Sequence, residues 1–170
     1  MTKNASLISW SLKGNLVGDH GASCIAKSML KNKRHCPSEV NLSGCDIGNG
    51  GARTWADALP ILGARGLRRL EMSCNNIKDD GALDLAVQIE KAEFGPLHLD
   101  LRQNNIGELG AGRLVESLTL NSTVAEIQME GNLLSVTQNN IILGMADVLS
   151  RKNKANIERK GKNFKYSFWY

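Results

Sequence analysis

The sequence predicts an α/β solenoid in which a short strand, a turn and a helix repeat five times along one chain. Two observations carry this prediction. A short apolar pattern ending in asparagine or cysteine returns every 28 to 30 residues. A glycine–alanine pair follows four of the five copies, six residues after that asparagine or cysteine. A fixed period of this length is the sequence signature of stacked structural repeats.

The strand half of each repeat carries apolar residues at alternate positions. Alternate side chains of a strand point to opposite faces, so the apolar set faces the helices and its neighbours face outward. The strand pattern ends at a residue that we call the closing residue, whose side chain lies where the chain turns inside the stack. An asparagine there can bond backbone groups that water cannot reach, and a cysteine can replace it only as a weaker donor. The closing residues are Asn15, Cys45, Asn75, Asn104 and Asn132.

The helix half of each repeat is indicated by apolar residues at helical spacing, as at Leu114, Val115 and Leu118. We expect the glycine–alanine pair near the start of each helix to let the helix and strand backbones approach closely. The fifth repeat has Gln138 and Asn139 at these positions, so this rule does not define the packing of its helix. The pairs are Gly21–Ala22, Gly51–Ala52, Gly81–Ala82 and Gly110–Ala111.

This pattern resembles the ribonuclease-inhibitor class of leucine-rich repeats, with the consensus L-x-x-L-x-L-x-x-N-x-L, over residues 7 to about 150. The resemblance implies a short right-handed horseshoe with a parallel β-sheet on its concave face and helices on its convex face. We assign residues 1–150 to a five-repeat leucine-rich-repeat domain and residues 151–170 to a basic, aromatic C-terminal cap or tail. Ile157 lies 28 residues after Met129, where a sixth strand would begin as part of the cap.

The outward strand positions form a polar surface that is the first candidate binding site. Its middle row is expected to run through Ser11, Asn41, Glu71, Asp100 and Gln128 on successive strands. Repeat proteins commonly bind partners through the concave face. The alternative is that these are only solvated side chains of a half-exposed sheet, because the row contains no aromatic anchor. The candidate residues are Glu39, Asn41, Arg69, Glu71, His98, Asp100, Arg102, Glu126, Gln128 and Glu130.

The last 20 residues are the second candidate site. They contain seven basic residues against one acidic residue, and five of the eight aromatic residues of the protein lie in the last seven positions. Such a segment can cover the open end of a solenoid. It can also insert into a partner, with aromatic anchors and lysines that contact phosphates or an acidic patch. The candidate residues of the tail are Arg159, Lys160, Lys162, Lys165, Phe168, Trp169 and Tyr170.

Several classes of function are disfavoured. His98, Asp100 and Glu71 come close together on adjacent strands, but no nucleophile or phosphate loop accompanies them, so we predict no catalytic residues. The cysteines and histidines lack zinc-ligand spacing, so we predict no metal ligands and no cofactor. No segment is long and apolar enough for a membrane span or a signal peptide, which favours a cytoplasmic protein with reduced cysteines and no membrane partner.

The sequence therefore predicts a non-catalytic protein–protein interaction or scaffold module, a subunit or adaptor of a larger intracellular assembly. One alternative is a nucleic-acid-associated component that contacts phosphate through the tail, which we rank below a protein partner. Another is a regulator of a partner enzyme or of cytoskeletal filaments, since the fifth repeat and the tail loosely resemble the C-terminal domain of the tropomodulins.

Overall fold

The computed structural model describes residues 7–91, 93, 97–121 and 123–161, and in this part five strands and five helices alternate along the chain. The order of the elements is the strand–helix alternation that the sequence predicts. The elements are β1 Ser9–Ser11, α1 Gly18–Lys31, β2 Glu39–Asn41, α2 Asn49–Ala64, β3 Arg69–Glu71, α3 Asp79–Glu90, β4 Leu97–Asp100, α4 Glu108–Leu120, β5 Val124–Gln128 and α5 Val136–Gly161.

The strands form one parallel sheet in the order β1-β2-β3-β4-β5, and the helices cover one side of it. Successive strands are paired so that equivalent repeat positions lie side by side. The apolar row that packs against the helices is Trp10, Val40, Leu70, Leu99 and Ile127. One irregularity separates Leu97 from His98 in the pairing of β4 with β5. The predicted α/β leucine-rich-repeat solenoid is confirmed.

The closing residues bond the repeats to one another. The side-chain oxygen of Asn75 accepts hydrogen bonds from the backbone N–H groups of Cys45 and Ile47, both at 3.0 Å. Its nitrogen donates to the carbonyl oxygens of Leu42 at 2.9 Å and Met72 at 3.0 Å. Water cannot reach these buried groups, so each amide satisfies backbone that would otherwise lack partners. The predicted role of the closing asparagines is confirmed in the interior repeats.

The helix glycines are required by the neighbouring helix. A Cβ atom built on Gly110 would lie 2.9 Å from Cβ of Ala82 on α3 and 2.9 Å from Cγ2 of Ile106 in its own repeat. Such distances are shorter than non-bonded carbon contacts allow. The expected close approach is present. The expected neighbour, the strand backbone, was wrong: the glycine makes room for the preceding helix and for the aliphatic residue two positions after the closing residue.

Each interior helix is capped by the repeat before it, which the sequence analysis missed. Oδ1 of Asp79, in the first turn of α3, accepts hydrogen bonds from the backbone N–H groups of Gly107 at 2.7 Å and Gly110 at 3.0 Å. Asp19 serves the start of α2 in the same way. A carboxylate is favourable here because the N-terminus of a helix has unpaired N–H groups and a partial positive charge.

The fifth repeat replaces this inter-repeat cap with a local one. Gln138 stands where the other repeats have glycine, and its Oε1 accepts a hydrogen bond from the backbone N–H of Ser135 at 3.2 Å. The backbone N–H of Gln138 donates to Oγ of Ser135 at 3.4 Å. This is the reciprocal arrangement known as a capping box. The motif Ser-x-x-Gln was visible in the sequence at the point where the glycine is lost.

Helix α5 is longer than the other helices and reaches the edge of the sheet. Ile157 lies within it, so the expectation of a sixth strand there was wrong. The segment after Ser150 contains good helix formers and no proline, which favours continuation of the helix. Nδ2 of the buried Asn153 donates to the carbonyl oxygen of Val124 at 3.1 Å, so the helix covers part of the edge strand β5. The predicted boundary between residues 150 and 151 falls inside α5, and the division into domain and tail stays a prediction.

Candidate partner-binding face

The concave face of the sheet carries the predicted polar side chains in three rows. The first row contains Glu39, Arg69, His98 and Glu126, and the middle row contains Asn41, Glu71, Asp100 and Gln128. The third row contains Arg102 and Glu130, each two residues after a residue of the middle row. The ten residues predicted for this face therefore lie together on one surface, and strand pairing reproduces the expected middle row position by position.

Asp100 and Arg102 form the most rigid part of the face. Oδ1 and Oδ2 of Asp100 accept hydrogen bonds from Nε and Nη2 of Arg102, both at 2.9 Å, and Oδ1 also accepts the backbone N–H of Arg102 at 3.0 Å. Asp100 is only 6% exposed. Burial raises the pKa of Asp100, but the hydrogen bonds and charge of Arg102 lower it more, so the net pKa is below the usual range. These two parallel hydrogen bonds hold the guanidinium of Arg102 in one orientation.

Glu126 is the centre of a second cluster. Its carboxylate accepts hydrogen bonds from Nε2 of Gln128 at 3.0 Å and Nζ of Lys154 at 3.3 Å, and lies 3.1 Å from Nδ1 of His98. Burial raises the pKa of Glu126, while these three partners lower it more, and the net shift is downward. Lys154 belongs to α5, and sequence analysis missed it because it assigned that segment to a separate tail.

Glu71 is the centre of a third cluster on the face. Nδ2 of Asn41 donates to Oε2 of Glu71, and Nη1 of Arg69 lies 3.8 Å from Oε1 of the same carboxylate. The space enclosed between β3, β4 and β5 at this point is about 10 Å³, which is too small for a substrate. His98, Asp100 and Glu71 are thus engaged in a surface network of hydrogen bonds and ion pairs.

A wider depression lies where the strands end, and the sequence analysis did not identify it. Its volume is about 360 Å³. Cys74 and Gln103, each just before a closing residue, have φ angles of 54° and 52°, and Sγ of Cys74 lies 2.7 Å from Oε1 of Gln103. The other three repeats have glycine at this position. This glycine is the sequence feature from which a left-handed turn could have been predicted. The depression is lined by Lys13, Ser73, Cys74, Arg102, Gln103, Glu130 and Gly131.

Most of the predicted tail site lies outside the described residues. This applies to Lys162, Lys165, Phe168, Trp169 and Tyr170. The backbone of Arg159 and Lys160 belongs to the last turns of α5.

No three His, Cys, Asp or Glu side chains in residues 7–91, 93, 97–121 and 123–161 are grouped so that they could hold a metal ion. Within the same residues, no helix combines the length and apolar character needed to cross a membrane.

Comparison with known proteins agrees with this geometry. A family model described as Leucine Rich repeat matches residues 3–26, 38–54 and 65–86. These segments fall on the first three repeats seen in the structure. The chain is a leucine-rich-repeat protein. Proteins built from such repeats stack them into a curved solenoid and use the concave surface to bind other macromolecules. The chain is accordingly a protein-interaction module.

Two curated relatives are similar to this chain. The Centrosomal protein of 78 kDa from Mus musculus is 30% identical over 156 residues, which cover 79% of this chain and 19% of that protein. The Homo sapiens protein of the same name is 30% identical over 159 residues, 79% of this chain and 22% of that protein. The chain thus spans about a fifth of the length of these relatives.

One of the similar solved structures is titled Leiomodin-1 Actin-Binding Site 2 (ABS2). Its TM-score against this chain is 0.75, with 13% sequence identity, and the match covers 94% of this chain and 88% of that one. At this identity the similarity shows that the fold is shared. It includes nearly the whole described chain, so the fifth repeat and α5 belong to the same architecture as the first four repeats.

Proposed function

We propose that this leucine-rich-repeat solenoid is a non-catalytic scaffold or adaptor subunit of a cytoplasmic protein assembly, and that its partner docks on the concave face. The observation that carries this proposal is the preorganised polar surface of β3, β4 and β5. Asp100 fixes the guanidinium of Arg102, and Glu126 gathers His98, Gln128 and Lys154. Side chains held in place before binding lose little conformational entropy when a partner docks.

The partner that this face fits is a protein with basic and hydrogen-bonding groups. Five carboxylates lie on the face, and three of them have a cationic partner: Asp100 has Arg102, Glu126 has Lys154 and Glu71 has Arg69. Glu39 and Glu130 are exposed and stand at opposite sides of the surface. Complementary charge would accelerate association and select the partner. The names of the relatives, which are centrosomal proteins, support placement in a cytoplasmic assembly.

Reversal of the exposed charges tests the proposal. We expect a Glu39→Lys plus Glu130→Lys chain to lose its specific partners in affinity purification followed by quantitative mass spectrometry. A matched control is Asp57→Lys plus Glu108→Lys, which makes the same change of charge on exposed residues of the convex helices. Both chains must show the far-UV circular dichroism spectrum of the parent. Equal retention of every partner by the two variants would contradict docking on the concave face.

Two alternative functions are tested by experiments of their own. A filament regulator, for which the fold shared with Leiomodin-1 Actin-Binding Site 2 is the supporting observation, would co-sediment with actin filaments. A nucleic-acid-associated component would bind through the basic tail, and its affinity would fall steeply as salt is raised. An enzyme would need turnover that is lost on replacement of His98, and we propose that there is none.

We also propose the tail as a second partner contact, made by Arg159, Lys160, Lys162, Lys165, Phe168, Trp169 and Tyr170. Its composition supports this, since aromatic residues and arginine are enriched at the energetic centres of interfaces. A chain ending at Asn163 should then lose partners that the full chain retains. Identical partners for both chains would contradict a role of the tail's aromatic end in binding.

A further inference from the structure

The basic residues of the first two repeats lie at one edge of the solenoid, where each helix ends and the chain turns toward the next strand. No acidic residue occurs between Asp19 and Glu39, and none occurs between Asp57 and Glu71. Helices α1 and α2 end within these two stretches. We call the surface that they form the basic edge, and its residues are Lys31, Lys33, Arg34, Arg65 and Arg68.

Contacts between the two repeats bring these residues together. Nη1 of Arg65 donates a hydrogen bond to the carbonyl oxygen of Leu30 at 2.9 Å, which places its guanidinium beside the last turn of α1. Burial raises the pKa of the Cys36 thiol, and the charges of Arg65 and Arg68 act in the opposite direction. Both guanidiniums therefore lie near the loop between α1 and β2, which carries the next basic residues of the edge.

The charges of the basic edge are not compensated. In the part of the chain that the structure describes, none of its cations forms an ion pair. Every other arginine whose side chain is described does form one: Arg53, Arg69, Arg102, Arg113 and Arg151.

The later repeats show that the fold does not require such a cluster. After α3, Lys91 is followed by Glu93, and around the end of α4 no charged residue occurs between Glu116 and Glu126. These helices end without a group of basic residues, although they stack in the same way. The basic edge is therefore a property of the first two repeats and not of the repeat architecture.

We propose that the basic edge binds an acidic segment of a partner protein, as a surface separate from the concave face. The described contacts of Arg65 and Arg68 use only Nη1, which donates to backbone carbonyl oxygens. Nε and Nη2 of each guanidinium can then bind a carboxylate through two parallel hydrogen bonds. Packed helices lie about 8–10 Å apart, and an extended chain advances about 3.3 Å per residue. A segment of a few residues therefore crosses both repeats.

The neighbouring charges favour a short acidic segment over a larger anionic partner. Glu39 follows the basic loop at the start of β2, and Glu93 follows the end of α3 in the third repeat, and both are exposed. A membrane surface or a nucleic acid duplex would cover a wider area and would meet these like charges. Proteins that bind single-stranded nucleic acid also use aromatic side chains for stacking, and the basic edge contains none.

Fluorescence anisotropy of a labelled peptide tests the proposal on the full chain. The probe is a peptide of alternating glutamate and serine, and a peptide with glutamine in place of glutamate shows any binding that does not need charge. We expect a Lys31→Glu plus Lys33→Glu chain to bind the acidic probe about tenfold more weakly than the parent, because each substitution removes one attraction and adds one repulsion. A Lys31→Gln plus Lys33→Gln chain, which places no carboxylate at the end of α1, should show a smaller loss.

The matched control is Lys78→Glu plus Lys152→Glu, which makes the same change of net charge on exposed lysines away from the basic edge. Its affinity for the acidic probe should stay within about twofold of the parent, because salt screens distant surface charges. All chains must keep the far-UV circular dichroism spectrum of the parent. A parent chain that does not bind the acidic probe would overturn the proposal, and so would equal losses in the edge variant and the control.

Two further probes distinguish a protein partner from other anionic partners. Single-stranded oligothymidylate and vesicles of phosphatidylcholine with phosphatidylserine are offered to the same chains, and we expect both to bind the parent more weakly than the acidic peptide. Equal or tighter binding of either probe, lost in the Lys31→Glu plus Lys33→Glu chain, would assign the basic edge to nucleic acid or to a membrane and overturn the proposal. The concave-face experiment changes other residues, so the two proposals fail independently.

Discussion

The closing asparagines allow a sharp test of how the repeats are held together. In an Asn75→Ala chain, the backbone N–H groups of Cys45 and Ile47 lose their hydrogen bonds to the side-chain oxygen. The carbonyl oxygen of Leu42 loses its bond to the side-chain nitrogen. The carbonyl oxygen of Met72 keeps a partner, because Nδ2 of Asn104 also donates to it at 2.9 Å. The carbonyl oxygen of Ser73, to which Nδ2 of Asn75 donates at 3.1 Å, keeps the backbone N–H of Gly44 at 2.8 Å. Of the five backbone groups that Asn75 bonds, three therefore lose a hydrogen bond that no second donor or acceptor replaces.

The expected loss of stability follows from this count. A buried polar group left without a partner costs about 1–3 kcal/mol. The three groups share one site and can relax together, so we expect a loss of about 3–6 kcal/mol, less than the simple sum of the largest values. A domain of this kind has a total free energy of unfolding of roughly 5–15 kcal/mol. The Asn75→Ala chain should therefore lose a large fraction of its free energy of unfolding.

Asn15→Ala is the matched control, because the sequence pattern gives Asn15 and Asn75 the same position. Asn15 is exposed, and its nitrogen donates only within its own turn, to the carbonyl oxygens of Leu12 at 2.8 Å and Lys13 at 3.4 Å. We expect Asn15→Ala to lower the free energy of unfolding by less than about 1 kcal/mol. Urea unfolding followed by far-UV circular dichroism and by the fluorescence of the buried Trp55 measures both. Equal losses in the two chains would refute the argument that the closing asparagine acts between repeats.

Three further predictions concern the caps, the helix glycines and the concave face. Asp79→Ala removes the cap of α4 and should lower the free energy of unfolding by about 1–2 kcal/mol in urea titrations, with the exposed Asp80→Ala as its control. Gly110→Ala should destabilise, because its Cβ would lie 2.7 Å from Oδ1 of Asp79, whereas Gly112→Ala should stabilise by roughly 0.5–1 kcal/mol, because its Cβ meets nothing within 4 Å. The lowered pKa of Asp100 contributes stability above the pKa of an unfolded aspartate, and this stability is lost as pH falls through the folded-state value. Thermal melts between pH 7 and pH 2 should therefore show a smaller acid loss for Asp100→Asn than for the parent, and parallel curves would contradict this.

The strands and the polar rows could be predicted because both depend on local periodicity. Alternation within each strand decides which side chains face outward, and the constant repeat length decides which of them become neighbours. Glu71 and Asp100 are 29 residues apart, yet the period alone placed them side by side. The same regularity identified the closing residues, although it could not distinguish the exposed Asn15 from the buried Asn75, because burial depends on whether a preceding repeat covers the position.

The features that were missed depend on contacts between repeats. Asp79 looks like an ordinary acidic residue in the first turn of its own helix, and only the stacked structure shows that it caps the next one. Lys154 reaches Glu126 because α5 continues toward the edge of β5, and no local pattern gives the direction of that helix. The partner of the helix glycines was misassigned for the same reason, since the sequence shows that space is needed but not which neighbour needs it.

The fifth repeat shows how one change in sequence alters several structural features at once. Replacement of the glycine by Gln138 supplies the acceptor for a local capping box with Ser135, so α5 does not depend on a carboxylate from α4. The same side chain prevents close approach of the two helices and leaves Met145 exposed. The helix continues past Asn153, whose Nδ2 donates to the carbonyl oxygen of Val124 on β5. The residue that breaks the repeat pattern thus supplies the local cap with which the last helix begins.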